Sequence, residues 1–437
     1  MCRRNIIWLF LLLSVVLSAQ KVDQIRALIR QQRYSEALQL TTIQLRAHPR
    51  NGQLYTQRAW LYQRLSQPGL AILDIDQAIK HASSAKLTRS QLYFMRGDIH
   101  SEVKMYIDAY EDYTIALERD PNCAQCYAHR GDLCLTLDYY PLAVEDYAEA
   151  LRIESYNTEY RVEYARALLA NAQYGEAAQQ LQQVLADDPG TLEAKRLLAT
   201  YHYLQNEPEV YIDLYLAYLQ EYFEANHEPS ASDHLLYNMT DSVSYAYLSS
   251  ALTRYIDHTA GDIQVMFRYI RANIRSQHGD FSGAIADLSV LISDEQDYDH
   301  SALEKRAYNY MQSEQYSLAI KDYTQLISLE PRNTQAYYGR AIAYQNMQQV
   351  DEAITDFISL TRLSHQEAPL AFYQAARMEV QRENYIQAIR YLSRSIELMP
   401  DAADLYRYRA EQYEALGNSR MAELDYQAAE LLTEPQP

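Results

Sequence analysis

Apolar, aromatic and small residues recur along this chain with a fixed spacing rather than in isolated clusters. Residues 90–123 and 124–157 match at tyrosine (Tyr93, Tyr127), glycine (Gly97, Gly131), tyrosine (Tyr106, Tyr140), alanine (Ala109, Ala143), tyrosine (Tyr113, Tyr147) and alanine (Ala116, Ala150), a period of 34 residues. A period of this size marks a repeat architecture, in which each unit buries its apolar face only by stacking on its neighbours. The elements it predicts are helices. Gly (11) and Pro (12) are sparse, which disfavours an all-β chain with many tight turns, while strong helix formers abound.

Numbering each unit from the residue after Cys123, alanine at position 20 recurs as Ala37, Ala71, Ala109, Ala143, Ala177, Ala284, Ala319, Ala353, Ala388 and Ala422. A closing proline follows in several units, as Pro49, Pro121, Pro189, Pro331 and Pro400. With a large residue at 4, a small one at 8 and aromatic or large residues at 11 and 24, this pattern resembles the tetratricopeptide repeat, with ten units in register. The resemblance implies an all-α fold, a right-handed superhelical solenoid of helix-turn-helix repeats with a concave groove. Small residues at 8 and 20 let helices A and B of a unit approach closely, and the large ones fill the space towards the next pair.

Two positions vary together. Arg58, Arg96, Arg130, Arg271, Arg306, Arg340 and Arg409 occupy position 7, and those same units carry Asp74, Asp112, Asp146, Asp287, Asp322, Asp356 and Asp425 at position 23. Units with Gln24, Tyr164 and Ala375 at 7 have Leu40, Gln180 and Tyr391 at 23. An Arg-Asp bridge from helix A to helix B is expected, although pairing between units would give the same covariation. If exposed, each bridge is worth about 0–1 kcal/mol and sets register rather than bulk stability. The tripeptides Arg96-Gly97-Asp98 and Arg130-Gly131-Asp132 then lie inside helices, which argues against an adhesion-loop reading.

Four regions follow from the pattern: a leader (1–19), an N-terminal array of about five repeats (20–205), a degenerate helical joint (206–264) and a C-terminal array of five repeats (265–437). The leader, "MCRRNIIWLFLLLSVVLSAQ", has Arg3 and Arg4, an apolar run from Ile6 to Leu17, then Ser18-Ala19. That is signal-peptide anatomy, and the run falls short of the about 20 apolar residues a membrane span needs. Cleavage near Ala19 and an exported, periplasmic or secreted chain are expected. In the joint, Tyr211, Tyr215, Tyr218 and Tyr222 form one stripe. Either it belongs to a structural joint or its exposed face is a hinge or partner surface. Asp241-Ser242-Val243 and Asn238-Met239-Thr240 match short glycan-acceptor patterns.

The formal net charge of −19 disfavours nucleic acid, which requires a Lys/Arg-rich face. No catalytic motif or phosphate loop stands out, no metal-ligand spacing is found, no cofactor is implied, and the acidic run at 293–300 lacks the glycine and distal Glu of a calcium loop. A non-enzymatic protein is expected. Cys123 and Cys126 at a repeat junction are either a structural disulfide or two reduced, small core residues; Cys134 is expected to be buried. Tyrosine is abundant (41 residues, against 7 Phe and 2 Trp), which suggests rings whose hydroxyls reach water or a partner.

In tetratricopeptide domains, positions 2, 5, 9, 12 and 13 of helix A face the groove. The resemblance therefore assigns Tyr269, Asn273, Gln277, Glu304, Tyr308, Gln312, Tyr338, Gln345, Asn346, Tyr373, Arg377 and Gln381 to the C-terminal groove, and Trp60, Arg64, Asp98, Asp132 and Arg166 to the N-terminal one. No unit has the Lys-5/Asn-9 pair of the family's chaperone-carboxylate clamp. Tyrosines with side-chain amides suit an extended protein or peptide segment. The expected role is a protein-interaction scaffold of the cell envelope, with a carbohydrate or peptidoglycan-fragment binder as the alternative.

Overall fold

Each unit forms a helical hairpin, and one turn geometry closes nearly all of them. In the unit beginning at Ala124, helix A runs Ala124–Thr136 and helix B Tyr140–Ile153. Between them Asp138 adopts φ +61°, and the Tyr139 N–H bonds back to the Cys134 carbonyl. This is the left-handed C-terminal cap that satisfies otherwise orphaned carbonyls. The same residue of the unit is left-handed at Gln32, Ser66, Lys104, Ala172, Gly279, Glu314, Gln348, Glu383 and Gly417. Only two of these are glycine, so the turn has no constant residue signature.

The computed structural model describes residues 23–84, 87–226, 242–292 and 300–433. Among the described residues there is helix and no strand. The leader, the Asn238 acceptor pattern, Asp241 of the second pattern and most of the acidic run lie outside them. By internal contacts the chain divides into two units, 1–218 and 219–437. The turn geometry also recurs at Asn206 (φ +59°), between helices Leu192–Leu204 and Pro208–Asn226, so a further hairpin follows the last N-terminal unit that the alanine pattern marks.

Nine of the ten position-20 alanines have no exposed surface and Ala422 has 2%. The core is strung out accordingly. One segment of it joins Val162, Ala165, Leu168, Ala177, Leu181, Val184, Ala194 and Leu197 from three successive helices. Another joins Ala341, Ala353, Phe357, Leu360, Ala371, Ala375 and Met378. Each helix A thus covers the preceding hairpin, the nearest-neighbour stacking that repeat stability depends on.

Three of the four stripe tyrosines of the joint are not surface, while Tyr222 is half-buried. Tyr211 and Tyr215 are fully buried and Tyr218 is 4% exposed. Their rings follow Tyr203 in a chain with centroids 5.3–5.5 Å apart. The stripe is core because aromatic area removed from water stabilises more than a single hydroxyl costs, and this overturns its reading as an exposed partner face.

Candidate functional site

The A helices, which the resemblance assigns to the groove, are held in place by the arginines. All seven position-7 arginines fork onto the position-23 aspartate of their own unit, Nε to one carboxylate oxygen at 2.6–2.9 Å and Nη2 to the other at 2.5–2.8 Å. The aspartate side chains are only 2–6% exposed and the arginines 9–24%. These are buried pairs, so the value for exposed ion pairs does not apply to them.

In six of the seven, the third arginine nitrogen reaches back to the preceding helix B. Arg96 Nη1 meets Asp76, and those of Arg130, Arg271, Arg306, Arg340 and Arg409 meet Thr114, Thr253, Ser289, Thr324 and Ser393, at 2.6–3.2 Å. One guanidinium therefore ties helix A to helix B and each unit to its neighbour. Tyrosines at positions 4 and 11 roof these arginines at 5.2–6.0 Å, as Tyr55 and Tyr62 do for Arg58 and Tyr337 and Tyr344 for Arg340. Part of the tyrosine excess is thus internal architecture.

Each letter of the repeated tripeptide acquires a task. Arg130 forks Asp146. Gly131 lies under the Tyr147 ring, where a Cβ would stand 2.9 Å from Cε2. Asp132 accepts the Tyr147 hydroxyl. Arg96, Gly97 and Asp98 repeat this with Asp112 and Tyr113, the Tyr113 hydroxyl donating to Asp98 at 2.9 Å. Burial, together with Asp98 and Asp132, pushes both phenols well above the ordinary tyrosine range, so both remain donors.

Of the positions assigned to the N-terminal groove, Asp98 is shared with His129, which was not among them, at 2.8 Å, and a cleft of about 290 Å³ is lined by His129, Asp132, Tyr147, Glu159 and Glu163. Burial pulls His129 down, but Asp98, Asp132 and Glu159 carry it above the ordinary histidine value. Arg166 pairs with Glu163 and Glu193, while Arg64 lies over the Trp60 ring at 5.0 Å. Trp60 also lines an apolar cleft of about 420 Å³ with Ile29 and Met95.

In the C-terminal array, Asn273, Gln277, Glu304 and Tyr308 come together on one cleft of about 560 Å³, with Ser276, Ser301, Lys305 and Asn309. Tyr308 is half exposed. Tyr269 lies alongside, hydrogen-bonded to Ser301 and covered by the Lys305 ammonium at 5.5 Å. Tyr338 lines a second cleft of about 300 Å³ with Gln335, Leu360, Glu367 and Leu370. Tyr373 packs on Tyr408 (5.6 Å) and carries Arg377 over its ring at 5.9 Å. Gln312 and Asn346 are exposed, Asn346 donating to the Ile342 carbonyl, and Gln345 is half-buried. Asn309 was not among the expected groove positions; it stands at position 10, one residue beyond the position-9 groove residue, with no sequence signal of its own.

Cys123 and Cys126 are joined in a disulfide with Cα atoms 5.2 Å apart, at the entry to helix Ala124–Thr136. Cys134 is buried, and burial pushes its thiol up to about 11, so it is a packing residue rather than a nucleophile. Among the described residues no three His, Cys, Asp or Glu side chains converge to hold a metal, and no helix is long and apolar enough to cross a membrane.

Residues 140–201 match the tetratricopeptide repeat family, and residues 307–348 match a TPR repeat family. The chain carries tetratricopeptide repeats. A DnaJ homolog subfamily C member 7 homolog of Dictyostelium discoideum is 28% identical over 134 residues, 27% of this chain and 25% of that protein. The chain thus spans about a quarter of the length of this curated relative. Among solved structures, a tetratricopeptide repeat protein from Parabacteroides merdae is 12% identical, covering 67% of this chain and 98% of that one with a TM-score of 0.41. MamA is 20% identical (37% and 93% covered, TM-score 0.34), and the Naa15/Naa10 complex bound to HypK-THB is 14% identical (94% and 75%, TM-score 0.37). The repeats support a protein-interaction scaffold; likenesses this distant add nothing about the partner.

Proposed function

We propose that this protein is an exported, non-enzymatic scaffold that holds a protein or peptide segment of the cell envelope in the groove of its C-terminal array. The observation that carries the reading is the cleft built by Asn273, Gln277, Glu304 and Tyr308, where side-chain amides surround a half-exposed ring. Such a surface offers hydrogen bonds to a peptide backbone and a face for its apolar groups. Export rests on the leader sequence alone. The alternative ligand, an oligosaccharide, would also stack on tyrosine.

The test selects peptides from a random display library on the chain beginning at Gln20. The enriched peptide is then titrated against that chain and against a variant with Tyr308, Tyr338 and Tyr373 changed to Ala. Loss of binding in a variant that keeps its helical circular dichroism supports the reading. Equal affinity for both proteins removes the groove assignment.

A further inference from the structure

Cys123 and Cys126 are bonded across a sequence separation of only 3. Stabilisation by a cross-link grows with the loop it closes, so a ring this short adds little to the fold. The helix that begins at Ala124 does not need the bond for its cap either. Asn51, Thr88, Asn157 and Asn333 cap other A helices by accepting the N–H three residues on, and Cys123 Sγ accepts the Cys126 N–H in the same way at 3.1 Å. A reduced Cys123 keeps that acceptor.

The two sulfurs differ in access. Cys126 has no exposed surface and packs with Ala116 and Leu117, whereas Cys123 is half-buried beside the exposed turn of Asp120, Pro121 and Asn122. Of the two, only Cys123 presents surface to a thiol from outside. Gln125, between them in sequence, lines the 290 Å³ cleft, so the disulfide stands at its rim. In and around that cleft His129 is matched by Asp98, and Arg166 by Glu163 and Glu193. Asp132 and Glu159 leave it negative.

We propose that the Cys123–Cys126 disulfide oxidises a pair of thiols on a protein partner, presented by a segment that places Lys or Arg in this acidic cleft. A thiolate of the partner attacks Cys123 Sγ, and the bond between the two sulfurs breaks. Cys126 leaves, takes the proton given up by that thiol and remains as a neutral thiol in its apolar cluster. The partner's second thiol then attacks the partner sulfur of the mixed disulfide, and Cys123 leaves with that proton. The Cys126 N–H aimed at Cys123 Sγ favours its departure as a thiolate. Two electrons and two protons pass from the partner to the cysteine pair, and the partner gains a disulfide. The oxidant is the bond the chain already holds, so the transfer is stoichiometric. This activity goes beyond the scaffold reading and does not depend on the C-terminal groove.

The experiment mixes the oxidised chain from Gln20 with a synthetic peptide carrying two cysteines flanked by lysines, and with one flanked by glutamates, followed by acid quenching and mass spectrometry. Expected is one equivalent of lysine-flanked peptide oxidised per chain, about tenfold or more faster than the glutamate-flanked one at low salt. The difference should shrink as salt is raised and in Glu159→Gln. The double variant Cys123→Ser/Cys126→Ser should oxidise neither peptide. A chain reduced with dithiothreitol should unfold at the same Tm as the oxidised chain or a higher one, because a disulfide that gives up its oxidising equivalent belongs to a fold stable in the reduced form. A Tm that falls on reduction makes the bond a structural staple and overturns the proposal. So does an oxidised chain that leaves the lysine-flanked peptide reduced. Equal rates for the two peptides overturn the part assigned to the cleft.

Discussion

Arg130 and Asp146 stand 16 residues apart in the chain and share a two-pronged ion pair, Nη2 to Oδ1 at 2.6 Å and Nε to Oδ2 at 2.9 Å, with the aspartate 6% exposed. The pair joins the two helices of one unit, and Arg130 Nη1 carries the tie to Thr114 in the unit before. Because the carboxylate is buried, removing its partner strands a charge rather than trimming a surface contact. Arg130→Ala should cost about 3 kcal/mol or more, whereas replacing both partners by apolar residues of similar volume should cost much less. Arg130→Lys should recover only part of the loss, since an ammonium cannot form the fork. Urea unfolding of the four proteins of the double-mutant cycle checks this. An Arg130→Ala loss below about 0.5 kcal/mol would show that the pair behaves as a solvated surface bridge.

Gly131 must be small for a steric reason. Replacing glycine by alanine inside a helix ordinarily gains about 1 kcal/mol. Here the new Cβ would stand 2.9 Å from Tyr147 Cε2, and at Gly97 it would stand 2.7 Å from Tyr113 Cε1. Overpacking of about 1–3 kcal/mol should exceed the propensity gain, so Gly131→Ala and Gly97→Ala should each lower stability. Thermal unfolding that shows either variant to be stabilised would mean that the ring moves away without cost.

Ala143 and Ala319 are fully buried between the helices of their units. Ala143→Leu or Ala319→Leu should force the helix pair apart and cost about 1–3 kcal/mol. Hydrogen exchange should locate the loss in the altered unit and its immediate neighbours, as nearest-neighbour stability requires. Protection lost evenly across the whole chain would contradict that.

Ala172 sits at φ +58° in the turn before helix Tyr174–Asp187. A left-handed alanine carries a Cβ clash of about 1–2 kcal/mol, partly offset by the greater entropy glycine loses on folding. Ala172→Gly should therefore stabilise the protein slightly, by about 0.5–1 kcal/mol, unlike glycine substitutions within the helices. A fall in the urea midpoint would show that the turn tolerates the side chain better than its backbone angle implies.

His129 holds a raised pKa despite its burial, because it faces Asp98, Asp132 and Glu159. A group whose folded pKa lies above its unfolded one favours the fold when protonated. Its contribution is complete below the unfolded value of about 6.5 and disappears as the pH rises through the folded value. The stability advantage of wild type over His129→Gln should therefore be larger at about pH 5.5 than at pH 8.5. Urea midpoints for both proteins at the two pH values test this, and an advantage that grows at alkaline pH would reverse the assignment.

An alanine recurring at spacings of 34 to 38 residues within each array and the joint variation of positions 7 and 23 were enough to read the helical hairpins and to mark those two positions as partners, while only the structure places each arginine on the aspartate of its own unit. These features are legible because close helix contact and a fixed ion pair each demand one residue type at one spacing. Other features depend on which atoms stacking brings together. The third arginine nitrogen finds Asp76, Thr114 or Ser393, three different residues at one place. The left-handed turn accepts Ser66, Lys104, Ala172 or Glu314 because its backbone bonds hold it whatever the side chain. The tyrosine stripe at Tyr211 and Tyr215 reads equally well as surface or core, and only the helices around it decide that it is core.

The resemblance assigned candidate groove positions, but the sequence did not show how their side chains are engaged. Asp98 and Asp132 are engaged by tyrosine hydroxyls, and Asn309 becomes an orphan acceptor only because packing buries it after its amide has turned to Lys305. Composition and period determined the repeat and its internal braces, since those depend on local spacing. Which polar atoms are engaged and which remain unsatisfied was decided by the tertiary structure, because hydrogen-bond satisfaction is a property of every neighbour at once.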